Sequence, residues 1–233
     1  MSDPAAPGTV PAGAPGPHTQ ALALFDLDGT ITRRDTLVPY VAGFLLRHPA
    51  RLARLPRVLA ALARFPFRRD RGELKSALLQ AALGGCTRAE LDAWTAQFAS
   101  RLLRRGVRAD ALAAIAQHRR GGDVLALLSA SVDLYVPAIG RSLGFSEIIC
   151  TGVRWDGERL VGTLATANRR GAEKVFCLAQ LRARHPRLPV TAYADSAGDL
   201  EHLRLVERPV LVNGRWRTRR AAAREGFACE VWF

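Results

Sequence analysis

The stretch Phe25-Asp26-Leu27-Asp28-Gly29-Thr30 follows directly on an apolar run, residues 21–25. A short apolar run bounded by polar residues reads as a buried strand. Two carboxylates two positions apart on an extended chain project the same way. Held together they repel, and each disfavours the other's ionisation. A nearby cation removes that cost. Oxygen ligands of this kind suit Mg²⁺, which takes one or two carboxylates, waters and a substrate phosphate. Gly29 permits a sharp turn whose exposed N–H groups can receive phosphate. The ordinary alternative is an Asx-rich turn that closes a strand.

Three further apolar runs, residues 124–128, 190–193 and 209–212, read as strands. The second and third strands of the chain stop, like the first, at polar clusters: residues 129–131 and 195–199. Helical patterns fill the gaps after Ser131 and after Gly171. Strands alternating with helices imply an α/β fold, a Rossmann-like parallel sheet covered on both faces. Ligands bind such sheets beyond the carboxyl ends of the strands, so the polar clusters can converge. Residues 148–154 and 159–165 flank Trp155-Asp156-Gly157-Glu158, and the Asp-Gly step predicts a β-hairpin.

Residues 36–118 carry no clear strand and read as a helical insert between the first two strands. Thr87 and Glu90 have capping-box spacing, and Leu91, Trp94, Phe98 and Leu102 then repeat on one helical face. Upstream, Arg47, Arg51, Arg54, Arg57, Arg64 and Arg68 share one side of a helical projection. Leu52, Leu55, Leu59 and Leu62 share another. Pro49 fits a first helical turn, whereas Pro56 must kink or break the helix. The expected division is a leader (1–20), a core (21–35 and 119–233) and a helical cap (36–118).

Bulk properties narrow the function classes. The chain has 233 residues, 48% hydrophobic and 24% charged, as in a globular protein with a substantial core. Cys86, Cys150, Cys177 and Cys229 are scattered without metal-like pairing and read as packing residues in a reducing compartment. No run reaches the roughly 18 apolar residues of a membrane span, and no secretory signal is visible. The Pro-, Ala- and Gly-rich first 20 residues read as disordered. A cytoplasmic location is expected. Net charge is +13, and residues 36–118 hold 14 Lys and Arg against 5 Asp and Glu, a net +9. That balance attracts polyanions, either nucleic acid or an anionic lipid surface.

Ser129 closes the second strand, Lys174 opens a helical segment, and Asp195-Ser196-Ala197-Gly198-Asp199 closes the third strand. Taken singly, each has an ordinary explanation as a cap or a solvated charge. Their order and shared place at strand ends make the case jointly. The chain resembles the haloacid dehalogenase superfamily of phosphatases, in the subgroup that includes phosphoserine phosphatase. Residues 25–30 are similar to that family's first motif, Leu127-Leu128-Ser129 to the second, residues 171–174 to the third and residues 193–199 to the fourth. Ala194 and Gly198 depart from the usual Gly and Asn. The insert stands where that family places a helical cap.

The resemblance implies that Asp26 attacks phosphorus and forms an aspartyl-phosphate. It implies that Asp28 protonates the leaving oxygen and then activates water. Asp26, Asp195 and the main-chain carbonyl of Asp28 would hold Mg²⁺. Ser129 and Lys174, with Gly29 and Ala130, would hold the phosphoryl oxygens, and Asp199 would support Lys174 or the metal. Asp35 and Lys75 are candidates for substrate selection by position.

A weaker resemblance is to phosphatidylglycerophosphate phosphatases of the same subgroup, on Asp35, Phe44-Leu45-Leu46-Arg47 with Pro49, the basic cap and Arg215-Trp216-Arg217. It implies a lipid phosphate as substrate and peripheral contact with the anionic inner-membrane surface. The alternatives are a soluble metabolite such as phosphoserine, transfer of the phosphoryl group to an alcohol, and a basic nucleic-acid-binding module. The last is not expected, because no zinc finger, RRM motif or aromatic-basic interleaving is present.

Overall fold

The computed structural model describes residues 20–63 and 70–233. The expected leader (Gln20 apart), Arg64 and Arg68 lie outside the described residues.

Strand β1 (Leu22–Phe25) is buried along its whole length and sits near the middle of a six-stranded sheet. The sheet order is β3-β2-β1-β6-β7-β8, with β2 Val124–Val132, β3 Glu147–Thr151, β6 Val190–Ala194, β7 Arg208–Val212 and β8 Ala228–Glu230. All pairings in it are parallel. Strand β1 pairs with both β2 and β6, placing Phe25 opposite Leu127 and Tyr193. The residues just beyond these three, including Asp26, Ser129 and Asp195, therefore leave the sheet side by side.

The period of two along each strand divides the core. Ala23, Phe25, Leu125 and Leu127 face one side, with the insert helices. Leu22, Leu24, Ala126 and Leu128 face the other. That second side is covered by α7 (Ala172–Arg184), α8 (Leu200–Leu203) and α9 (Trp216–Arg224). Parallel strands covered on both faces need such continuous apolar runs.

The described part of the insert is helical: α1 (Leu37–Arg47), a 3₁₀ turn (Pro49–Arg54), α2 (Leu55–Ala63), α3 (Arg71–Leu83) and α4 (Arg88–Arg105). Helix α5 (Ala109–Arg120) leads into β2. The helix is interrupted twice before Pro56, which falls in the first turn of α2, and Pro49 stands at the head of the 3₁₀ turn. The capping box is present: the Thr87 hydroxyl accepts from Glu90 N, and the Glu90 carboxylate accepts from Thr87 N. Leu91, Trp94 and Phe98 are buried in one cluster with Tyr40, Phe44 and the sheet residue Phe25. Trp94 Nε1 also donates to Tyr40 O.

The arginine row of the insert does not face solvent as a block. Arg47 donates to Gln97 and lies over Trp94, Arg51 pairs with Glu90, and Arg54 donates to Gly84 O. Leu46, Leu52, Leu55 and Leu59 are exposed on the same stretch, beside the exposed Arg47 and Arg57.

Three expectations are corrected. Strand β2 continues through Ser129 to Val132, with a register shift against β3 between Leu128 and Val132. A bulge of this kind lets polar residues ride on a strand end. The hairpin is shorter than expected, because its first arm splits at Gly152. Residues 147–151 join the main sheet as β3, and only β4 (Val153–Asp156) pairs antiparallel with β5 (Arg159–Leu164). Strand β8 is an additional edge strand whose Ala-Cys-Glu sequence carries no apolar run. Between β3 and β2, α6 (Val136–Leu143) makes the crossover.

Because the insert and one sheet face share a core, Trp94→Ala is expected to lower unfolding free energy by about 3–5 kcal/mol. Urea denaturation measures this. A loss below about 1 kcal/mol would show that the aromatic cluster does not support the fold.

Candidate active site

Asp26 follows β1 directly, and its N–H donates to Tyr193 O. Its Oδ1 accepts from Lys174 Nζ at 2.6 Å. The same ammonium donates to Asp199 Oδ1, also at 2.6 Å. Lys174 projects from the first turn of α7 and is 3% exposed. Asp199 is held in turn by the Ser196 hydroxyl. A buried ammonium is tolerated only when paired and hydrogen-bonded, and here two carboxylates pair it.

Asp195 completes the cluster. Its carboxylate lies over the Cα of Gly29, so a Cβ on Gly29 would overlap it. Gly29 also has φ +84°, which glycine adopts without strain. Both features tie that glycine to the placement of Asp195.

Two carboxylates thus bind one ammonium, and a third, Asp195, feels its charge. Burial works against the Lys174 charge, but Asp26 and Asp199 outweigh it and hold the lysine above its ordinary range. Burial also opposes ionisation of Asp199, yet Lys174 and His202 carry it below its ordinary range. Burial, with Asp199 and Asp195 nearby, pushes Asp26 up against the pull of Lys174. Burial and Asp199 push Asp195 up to about 6. Negative charge is therefore in surplus around Asp26 and Asp195.

A hard divalent cation fits that surplus. Among the described residues no three His, Cys, Asp or Glu side chains converge as a metal-holding group. The carboxylates of Asp26 and Asp195, completed by water and substrate, fit the habit of Mg²⁺.

Asp28 faces differently. Its Oδ1 accepts from Thr36 N at 2.8 Å and from the Thr36 hydroxyl at 2.6 Å. Its Oδ2 accepts from the Ser131 hydroxyl at 2.5 Å. Burial raises its pKa despite these bonds. A buried carboxyl fixed by three hydrogen bonds beside the cleft is placed to exchange a proton with a bound group.

These side chains border a cleft of about 800 Å³, lined by Asp26, Asp28, Gly29, Asp195 and Lys174 and by Ala130, Ser131 and Asn168. Lys75 reaches into it from α3, donating to Ala130 O and, at 2.6 Å, to Asn168 Oδ1. Burial draws Lys75 down to about 8. Asp35 lines the mouth and accepts from Leu37 N.

Ser129 is fully buried and does not line the cleft. Its Oγ accepts from Ser131 N at 3.0 Å, which leaves its own proton to donate. Sequence reasoning missed Thr36, Ser131, Tyr135, Asn168 and Ser196. Of these, only Ser131 and Ser196 fell within polar clusters noted at strand ends.

The haloacid dehalogenase-like hydrolase family model matches residues 23–204. The chain belongs to the haloacid dehalogenase-like hydrolases. Protein CicA of Caulobacter vibrioides is 33% identical over 194 residues, which cover 82% of this chain and 85% of that protein. The crystal structure of a protein of unknown function from Bordetella pertussis is 26% identical, with a TM-score of 0.75 over 91% of this chain and 98% of that one. A phosphoserine phosphatase, solved as an analogue of its phospho-aspartyl intermediate, shares the fold at 15% identity. Its TM-score is 0.61 over 91% of this chain and 93% of that one. The family and the parallel sheet expected from the sequence are both present.

The raised carboxyl of Asp195 gives a pH signature. The native state holds this proton more tightly than the unfolded chain does, so it loses relative stability as pH rises from about 4 through 6. In chelator, Asp195→Asn is therefore expected to melt increasingly above the wild type across that window. Magnesium should raise the wild-type Tm more at pH 7.5 than at pH 5, since its ligands must be deprotonated. A pH-independent difference in Tm would contradict this.

Proposed function

We propose that this hydrolase is a Mg²⁺-dependent phosphomonoesterase working through an aspartyl-phosphate on Asp26. The observation that supports the reading best is Asp26 itself. It stands at a strand end, at the floor of a cleft, fixed on one oxygen by a buried ammonium and beside a second carboxylate. A carboxylate so placed can split a difficult displacement into two easier ones.

Asp26 attacks phosphorus, and the bond to the ester oxygen breaks as the Asp26–phosphorus bond forms. Asp28 gives its proton to the departing oxygen. It then takes a proton from water, which attacks phosphorus and frees phosphate and Asp26. Lys174 fixes Asp26 and, with the main chain at Gly29 and Ala130, meets the phosphoryl oxygens, whose charge dominates this chemistry. Ser129, buried outside the cleft lining, supports that wall by accepting from Ser131 N. Asp26, Asp195 and the Asp28 carbonyl would hold magnesium. When bound, the ion neutralises the carboxylate surplus and the phosphoryl charge. Transfer to an alcohol would share every step up to the second attack.

On this reading Asp26→Asn loses Mg²⁺-dependent hydrolysis of an aryl phosphate by about a thousandfold or more, as when a nucleophile is removed. A steady-state assay checks it, and turnover by that variant within tenfold of wild type would refute the assignment.

A finer reading concerns the substrate. Residues 36–69 contain seven arginines and no Asp or Glu. Leu46 and Leu59 on that segment are 73% and 56% exposed. Leu37, Val38 and Pro39, at the start of α1, line the cleft mouth, and Arg33, Arg34, Arg71, Arg170 and Arg215 border it. Exposed leucines among cationic side chains suit an anionic bilayer, and this arrangement favours a lipid phosphate over phosphoserine. Among the described residues no helix is long and apolar enough to cross a membrane, so contact would be peripheral. Co-flotation with phosphatidylglycerol vesicles, weakened by Leu46→Glu with Leu59→Glu, is the expected result. Failure to float at low salt would remove the lipid reading and leave phosphoserine-like substrates.

A further inference from the structure

We propose that Thr36, Ser131 and Tyr135 form a hydroxyl clamp that fixes the Asp28 carboxyl for proton transfer at the cleft, with Ser131 as its principal positioning residue. The inference rests on the assignment of Asp28 as the acid and base of the reaction.

All three hydroxyl residues are buried, with Tyr135 and Thr36 almost wholly so. Their oxygens form a ring with Asp28. Thr36 Oγ1 is 2.6 Å from Asp28 Oδ1, Ser131 Oγ is 2.5 Å from Asp28 Oδ2, and Tyr135 OH is 3.1 Å from each of those hydroxyls. Tyr40 and Phe98 pack against the phenol ring of Tyr135, their centroids 4.7 and 5.6 Å from its own. Buried hydroxyls need partners; Phe98 offers none, and the Tyr40 hydroxyl is engaged with Thr95 Oγ1. The Asp28 carboxylate is the acceptor the cluster is built around.

Two local structures give up an ordinary bond to present these hydroxyls. Thr36 is the N-cap residue of α1, a place where a threonine normally accepts from the first turn of its own helix. Its side chain caps nothing and turns to Asp28. Ser131 sits where the pairing of β2 with β3 shifts register, and its N–H goes to Ser129 Oγ at 3.0 Å. The bulge thereby points the Ser131 hydroxyl at Asp28, and Ser129 helps to set it. Thr36 enters from the insert and Ser131 from the sheet, so the carboxyl is held from two independent supports. Placement of this kind governs how efficiently a fixed group delivers a proton.

The test uses the dependence of rate on the leaving group. An alkyl phosphate releases a strongly basic oxygen that needs a proton, whereas a nitrophenyl phosphate releases one that scarcely does. Both are assayed with the full-length protein in saturating Mg²⁺, and kcat/KM, which reports the first displacement, is compared. Ser131→Ala is expected to lower kcat/KM for the alkyl substrate about tenfold or more and for the nitrophenyl substrate less than about threefold. Ser131→Thr should restore most of the loss. Tyr135→Phe should act in the same direction with a smaller effect, and it supplies a second variant should Ser131→Ala fold poorly. Asp28→Asn serves as the reference for the selective loss. Equal losses on both substrates in Asp28→Asn would overturn the role of Asp28 itself. A selective loss in Asp28→Asn, with equal losses in Ser131→Ala and Tyr135→Phe, would overturn the clamp alone.

Discussion

The ammonium of Lys174, buried between Asp26 and Asp199, is the interaction on which the rest of the site depends. It links the end of β1, the first turn of α7 and the turn after β6. Without it, three carboxylates would stand together in a poorly hydrated place, at a cost the fold could not carry. With it, one carboxylate is neutralised and the others remain in surplus around Asp26. On the proposed function, that residual charge is what a divalent cation and a substrate phosphate would meet. Stability and chemistry are thus opposed here, as expected where a fold holds unfavourable charges for function.

The sheet makes this convergence possible. Strand β1 is central and short, with β2 and β6 in register on either side, so residues from three distant parts of the sequence leave the sheet within one neighbourhood. The insert then borders the cleft through Lys75, and Thr36 at its start holds Asp28. Its aromatic cluster of Tyr40, Trp94 and Phe98 is continuous with the sheet core, which gives those two side chains a firm base.

Much of this was legible from residues alone, for identifiable reasons. The runs at 21–25, 124–128, 190–193 and 209–212 are apolar on both faces and alternate with helical patterns, as a covered parallel sheet requires. The Asp26/Asp28 pair, Lys174 and Asp195 lie in one cleft, with Asp199 bound to Lys174, as strand-end placement suggested. What escaped reading has no periodic signal. The Ala-Cys-Glu edge strand β8 lacks an apolar run, and Gly152 gave no sign that β3 would leave the hairpin for the main sheet. Thr36, Ser131 and Tyr135 meet only because the fold brings a helix start against a bulge 95 residues away. The arginine row of the insert misled in the opposite sense. Its spacing put the arginines on one side of a projection and the leucines on another, but Arg47, Arg51 and Arg54 found partners within the insert, and Leu46, Leu52, Leu55 and Leu59 are exposed beside them.

The central claim is that Asp26 carries the phosphoryl group beside a cation shared with Asp195. A crystal structure of the protein with Mg²⁺ and beryllium trifluoride, a mimic of an acyl-phosphate, tests it most directly. The fluoride adduct should sit on an Asp26 oxygen, with one metal ion coordinated by Asp26 and Asp195. An adduct on another residue, or a metal bound without Asp195, would contradict the account.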